Sequence, residues 1–548
     1  MSLGNELWGS RAKIDSILKE YKAFDNRPLY TQGSNNHQWV PEILEHEDFF
    51  CGVRFSRSRL FRGSYAMCDA PLGHVQTAFP STMKDYDDQF VPPAQVKGGD
   101  EGAGAGGEIQ IQYGTEAKTV QADDTSGEWI PHIPVISHEI GQYATFPDFE
   151  EIAKYSGPLK AKNFEIFRER LEKNGLGHLA AQYFAASGKL AAACYKEELE
   201  AAFRTRRLAG FQLLDLQDFS GQGTALVGIL DAFMDSKGMI TAEEWRTFCN
   251  DAVLLARFTK FNYVSGELFH ADVELSWFRG AAPDRLELNW EIGGDNEILE
   301  SGTVVADSAA EANYYQIGVV KLMLPAVAAM TAVKLNLQIA GTDIHKSYDL
   351  WIYPELNSTG LLDEVHVFKE LGAEAQALLE QGGNVLLMPN PDSLNNAVQG
   401  FYSTDFWCYP MFRSISESMN RPVPVGTMGL LIDNSHPVLR SFPSEEHSTY
   451  PWWSIIEHSK SLILDGTDQS WSPIVRTIDN FERNHKLGFL LECRVGTGKL
   501  LICPLDADKA AETPEGRQFL SSLTGYMGSE EFNPAYVSTI EELQRIIQ

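Results

Sequence analysis

Glu6 and Glu139 are the residues of this chain best placed to do chemistry. Glu139 sits in Ser137-His138-Glu139-Ile140-Gly141, directly after an apolar run from Ile130 to Ile136 that reads as a buried strand. Glu6 sits in Leu3-Gly4-Asn5-Glu6-Leu7-Trp8-Gly9, a second such strand tip. A single glutamate at a strand end is most often a solvated surface residue. Both of these belong to a βα rhythm, however, and in a parallel barrel all strand C-termini open on one face, where both carboxylates would share a pocket. Two facing carboxylates suit glycoside hydrolysis, one as acid and one as nucleophile or base, and a separation of about 5–5.5 Å gives retention of configuration. Asn5, beside Glu6, is the side chain that would hold the hydroxyl next to the reacting carbon.

The elements that must position them follow in order. Residues 1–35 read as strand, helix (Ile14 to Phe24) and strand (Arg27 to Thr31), with a polar tip running from Gly33 to His37. Phe49 to Phe55 gives a further strand, and Gly210 to Phe219 another that ends in polar residues. Strands alternating with helices argue for parallel strands and crossover connections. Residues 62–128 break the rhythm, and their flexible Gly98–Gly107 run reads either as a loop bordering the site or as a mobile insertion. Phe164 to Asn174 reads as a helix with Asn163 as N-cap and Gly175 as stop, and a second helix covers Gly177 to Arg206. From Phe258 the pattern becomes short alternating strands: Ala271–Phe278, Arg285–Ile292, Val333–Ile339 and Tyr348–Tyr353. From Glu355 an α/β pattern returns, with a helix expected over Leu362–Gln381 and a strand from Asn384 to Pro389. Three domains are expected: 1–255, 256–355 and 356–548.

The chain carries 45 basic against 75 acidic residues, a net charge of -30. That disfavours nucleic acid or an anionic membrane as partner. No run of about 18 apolar residues would span a bilayer. The seven cysteines are scattered without a CxxC pair, which reads as thiols rather than a disulfide framework or zinc site. No cofactor and no metal is expected. Val495-Gly496-Thr497-Gly498-Lys499 is read as a hairpin turn, since it lacks the first Gly and the Ser/Thr of a phosphate loop. The Asp235–Glu244 stretch echoes a calcium loop, but Phe233 holds its first ligand position and Lys237 its fifth; Thr241 and Glu244 read better as a capping box.

Leu3-Gly4-Asn5-Glu6 resembles the strand-four motif of retaining (β/α)8-barrel glycosidases, and Ser137-His138-Glu139-Ile140-Gly141 resembles their strand-seven nucleophile motif. Together with Gly210 to Asp218, the chain resembles glycoside hydrolase family 2, the β-galactosidase-like multidomain family. The resemblance implies the C-terminal part of a TIM barrel starting at strand four, then an immunoglobulin-like β-sandwich, then a flavodoxin-like or glutamine-amidotransferase-like α/β domain. It implies Glu6 as acid/base, Glu139 as nucleophile and Asn5 as a substrate ligand. Asn35, Asn36, His37, Arg54, Arg57, His138 and Asp215 or Gln217 would line the pocket. The family's first three strands would precede Met1, so the chain is expected to be the C-terminal part of a longer parent, periplasmic or secreted. The α/β domain lacks a Gly-x-Cys-x-Gly elbow, and Cys408 sits among aromatics, so a structural, oligomerising or carbohydrate-contacting role is expected for it. The expected function is a retaining β-glycosidase acting on a carbohydrate, compatible with a homo-oligomer. The alternative is a non-catalytic carbohydrate-binding or assembly protein built on the same fold.

Overall fold

A computed structural model describes the chain apart from residues 6, 8, 35–41, 57–58, 63–79, 92–107, 114–115, 122–129, 281–284, 295–296, 308–312, 358–361, 406, 409–413, 415–416, 419 and 421–425. The Gly98–Gly107 run therefore lies outside the described residues. The fold is mixed α/β with many separate sheets.

The sheet that carries Glu139 has three strands, Phe50–Gly52 (β1), Val135–Gly141 (β2) and Leu208–Leu214 (β3), in that spatial order and parallel throughout. Ahead of it, Ser2 bridges Thr31 in parallel. Helix α1, Arg11–Phe24, connects these two segments and buries Ile14 and Leu18 one turn apart against Tyr30 and Leu44. Between β2 and β3 run helices α2, Lys162–Lys173, and α3, Ala180–Arg204. Helix α2 starts two residues earlier than a cap at Asn163 would allow, with Ala161 at the cap position. Asn163 lies inside its first turn, where its side-chain amide donates to the Gly223 carbonyl. Gly175 ends it as expected, at φ +74°.

Helix α3 is buried along most of its length, including Glu197, Glu198, Glu200 and Arg204. A helix buried on several sides is enclosed by neighbours rather than lying on a surface. Its first neighbour is a pair of sheets. Ala252–Arg257 (β4), Leu268–Trp277 (β6) and Tyr314–Met323 (β9) form an antiparallel sheet in the order β9-β6-β4. Asn262–Val264 (β5), Arg285–Gly294 (β7), Glu297–Asp307 (β8), Thr331–Ile339 (β10) and His345–Tyr353 (β11) form the other, in the order β8-β7-β10-β11-β5. The apolar alternate positions of both sheets, among them Leu254, Phe269, Leu288, Leu335 and Leu350, meet in one core. Period-two alternation legible in the sequence is what fills it.

The second neighbour is the C-terminal α/β unit. His366–Phe368 (β12), Asn384–Leu387 (β13) and Gly498–Ile502 (β15) are parallel, and Leu491–Val495 (β14) adds antiparallel to β15 through the 495–498 turn. The single helix expected over Leu362–Gln381 is corrected. His366-Val367-Phe368, aromatic and β-branched, pairs with Val385–Leu387, and the helix (α4) runs only from Ala373 to Glu380 after Gly372. Tyr143, Leu190 and Tyr195 share one continuous core with Leu386, Met388, Leu430 and Trp452 of this unit. One smaller expectation holds: Thr241 and Glu244 make both bonds of a capping box. In the calcium-like loop, the Lys154 ammonium lies against the carboxylates of Asp231 and Asp235.

Candidate active site

The C-terminal end of β2 is irregular where Glu139 stands. Ser137 pairs with Phe211 and Ile140 with Leu213, so His138 and Glu139 together oppose Gln212 alone. Two residues against one is a β-bulge, a device that re-aims a side chain. The backbone there is unusual: Glu139 has φ +55°, Gly141 +106° and Gln142 +67°. Non-glycine residues in this region cost about 1–3 kcal/mol each and persist only where the surroundings hold them.

The holding groups are identifiable. Arg62, buried beside the strand, donates from Nη1 to the carbonyls of His138 (2.6 Å) and Glu139 (2.8 Å). Gln142 donates from Nε2 to the Glu139 carbonyl (3.1 Å), and its own amide donates to the Leu214 carbonyl (2.6 Å). Position 141 must be glycine, because a Cβ there would lie 2.3 Å from Cε1 of Tyr195. Behind the site, the Tyr195 hydroxyl donates to the Leu214 and Val227 carbonyls, and Tyr143 donates to the buried Glu198 carboxylate.

His138 joins strands far apart in sequence. Its Nδ1 lies 2.6 Å from Oε1 of Gln212, and its Nε2 lies 3.0 Å from Oδ1 of Asn5 and 3.1 Å from Oε1 of Glu139. Both ring nitrogens thus face oxygen acceptors, an arrangement that only the doubly protonated imidazolium satisfies. Burial works against that charge. Hydrogen bonds with Cys51 and Glu139, and the charge of Glu139, outweigh it and push the His138 pKa up to about 10. The Glu139 carboxylate also has the Arg62 guanidinium 3.9 Å from its other oxygen, so a cation stands on either side of it. Asn5 is fixed in turn by Ser34, which donates to its Oδ1 at 2.6 Å.

Of the residues expected in the pocket, the structure brings Asn5, His138 and Glu139 together. Glu6, Asn35, Asn36, His37 and Arg57 lie outside the described residues. Arg54 is buried in the strand Arg54–Ser56 just after β1. Asp215 follows β3 through a cis peptide bond, and its Oδ1 accepts from the Leu216 amide at 2.6 Å. Among the described residues no bond joins it to His138 or Glu139. Gln217 pairs with Leu230 in a bridge. Sequence reasoning missed Arg62, Gln142, Gln212 and Trp407. Gln212 lay inside a motif already singled out and Gln142 directly after one; nothing pointed to Trp407, whose indole N–H donates to Oε1 of Gln142 at 2.8 Å from 265 residues further along. For metals, the described residues offer one three-ligand group, Asp15, Glu45 and His46, whose atoms lie within 4.8 Å of one another; there His46 already pairs with Asp15 at 2.8 Å.

Two family models match parts of the chain: a domain of unknown function (DUF8488) over residues 267–354, and another (DUF8487) over residues 366–548. No curated protein sequence matches the chain. Among solved structures, the sporulation control protein Spo0M of Bacillus subtilis is 17% identical, with a TM-score of 0.15 over 21% of this chain and 55% of that one. A β-glucuronidase of Parabacteroides merdae with glycerol in its active site is 9% identical, with a TM-score of 0.20 over 65% of this chain and 37% of the other. A β-glucuronidase of Bacteroides uniformis gives 10%, 0.15, 41% and 22% for the same measures. The chain thus spans about half of the sporulation protein and about a fifth to a third of these glucuronidases. These scores are far below those of chains that share an overall fold, and the functional reading rests on the site itself.

Proposed function

We propose that the chain is part of a retaining β-glycosidase of the family 2 type, with Glu139 as nucleophile and Glu6 as acid/base on the open end of a (β/α)8 barrel. The observation that carries this reading is that Asn5 and Glu139, 134 positions apart in the sequence, share one ring nitrogen of His138. The reading is supported by the residue preceding Glu6 lying within one imidazole ring of the Glu139 bulge. Parallel β1, β2 and β3, in chain order with helices between β2 and β3, are the arrangement such a barrel segment needs. On the same reading, the pair of facing sheets is the immunoglobulin-like domain, and the C-terminal unit is an amidotransferase-like fold without its nucleophile.

The reaction has two steps. Glu139 attacks the anomeric carbon while protonated Glu6 gives its proton to the departing glycosidic oxygen. Water then gives a proton to ionised Glu6 and attacks the glycosyl–enzyme, releasing the sugar and restoring Glu139. Asn5, oriented by His138 and Ser34, presents its amide N–H groups to the sugar hydroxyl beside the reacting carbon. The imidazolium of His138 and the guanidinium of Arg62 keep an anionic nucleophile in electrostatic balance, as an ester-forming carboxylate requires. The test is covalent trapping. The chain is incubated with 2-deoxy-2-fluoro derivatives of galactosides, glucuronides, mannosides and arabinosides, and the adduct is mapped by peptide mass spectrometry. An adduct on Glu139 is expected and would name the sugar. An adduct on another carboxylate, or none from the folded chain, overturns the assignment.

A further inference from the structure

We propose that the C-terminal α/β unit sets the conformation of Glu139, with Trp407 as a positioning residue that acts through Gln142. The proposal rests on the reading of Glu139 as nucleophile and goes beyond it, because it makes the site a joint product of two units.

The argument begins with the Gln142 amide. Its Nε2 donates to the Glu139 carbonyl at 3.1 Å and its Oε1 accepts from Trp407 Nε1–H at 2.8 Å. An indole nitrogen can only donate, and an amide oxygen can only accept. Trp407 therefore decides which way the amide is turned. Rotated by half a turn, Gln142 would aim its oxygen at the carbonyl oxygen of Glu139 and repel it. Gln142 is 3% exposed, so bulk water cannot readily replace the indole. The segment in question has Glu139, Gly141 and Gln142 all at positive φ and so depends on such external bonds.

Trp407 is itself held in place by packing. It lies against a core that contains Ala144 and Phe146, just past the bulge, together with Met428, Ile478 and Phe481 of the C-terminal unit. Gly429, at φ +91°, lets the strand Thr427–Ile432 close on helix α3, since a Cβ there would fall 2.8 Å from Leu190. The docking is thus tight enough to transmit a position. A shift of about 1 Å in a reacting group can cost about a hundredfold in rate.

The test uses the full chain carrying Trp407→Phe, which keeps the ring and removes the donor, and Gln142→Glu, which still accepts from Trp407 but cannot donate to Glu139 when ionised. Hydrogen–deuterium exchange of the 138–142 amides is read first. Both variants are expected to exchange there at least tenfold faster than wild type, with the sandwich peptides unchanged and the double variant no worse than either single one. Labelling by the fluoroglycoside identified above is read second: its rate constant is expected to fall tenfold or more while a reversible inhibitor binds with unchanged affinity. Unchanged exchange in Trp407→Phe overturns the proposal, whatever the labelling shows. Raised exchange with an undiminished labelling rate also overturns it. Raised exchange in a chain whose wild type takes no label on Glu139 leaves Trp407 as the conformational determinant of this segment and discards the glycosidase reading alone. Should Trp407→Phe not fold, Gln142→Glu decides by the same two readouts.

Discussion

At Glu139 a single atom substitution separates chemistry from structure. On the proposed reading, Glu139→Gln keeps the shape and removes the nucleophile, and turnover of an aryl glycoside by the chain should fall by roughly three orders of magnitude or more. His138 gives a prediction of a different kind. Its folded pKa, about 10, lies above the ordinary 6.5, so the protonated ring contributes stability that is complete below about pH 6.5 and lost as pH rises towards 10. Denaturant unfolding of wild type and His138→Gln across that window should show a gap that is widest at pH 6 and closes towards pH 10. A gap that stays constant would mean that the ring is neutral. The His138 role was half legible in the sequence. Its place beside Glu139 was visible, but its other acceptors come from Asn5 and Gln212, and only folding brings those segments together.

The element scale is where the bulge belongs. A strand running regularly through Ser137 to Gly141 would put His138 and Glu139 on opposite faces. The extra residue turns the segment, and Gly141 makes the turn fit against Tyr195. Gly141→Ala meets both a positive φ and a Cβ contact at 2.3 Å, whereas Gly496→Ala, at φ +60° in the β14–β15 turn, meets open space. Thermal melts should therefore separate them: about 1 kcal/mol for Gly496→Ala, from backbone strain alone, and clearly more than about 2 kcal/mol for Gly141→Ala. The turn was readable because glycine spacing announces a hairpin locally. The helix expected over Leu362–Gln381 was misread because its first half is decided by pairing with Val385–Leu387, a partner that no local propensity encodes.

Across the whole molecule, helix α3 is the joint. Its Glu200 takes Arg204 of the same helix and Lys346 from β11 of the sandwich, all three fully buried. Burial and competing cations act on Lys346, whose pKa falls to about 8 despite the Glu200 carboxylate. Tyr450 of the C-terminal unit stacks on Phe261 at 3.6 Å and donates to Glu197 of α3, so one side chain touches all three parts. Breaking a buried ion pair from one side costs about 3–5 kcal/mol, because the remaining charge is stranded. Glu200→Ala strands two cations. Lys346→Met leaves Glu200 with Arg204. Urea unfolding should rank Glu200→Ala as the more damaging of the two, and the reverse order would show that Lys346 carries the joint.

The sequence by itself determined the strand-tip position of Glu139 with His138 beside it, the alternating strands of the sandwich and the β14–β15 hairpin. Each of these is written in residue type and local spacing, the range over which backbone propensity and hydrophobic period operate. Only the tertiary structure decided that His138 bridges Asn5 to Glu139, that Arg62 and Gln142 clamp the bulge, and that Trp407 reaches Gln142 from another unit. Those bonds join residues up to 265 positions apart. Which donor meets which acceptor is set by how helix α3 packs between the sandwich and the C-terminal unit, a many-body outcome of burial with no local signature in the chain.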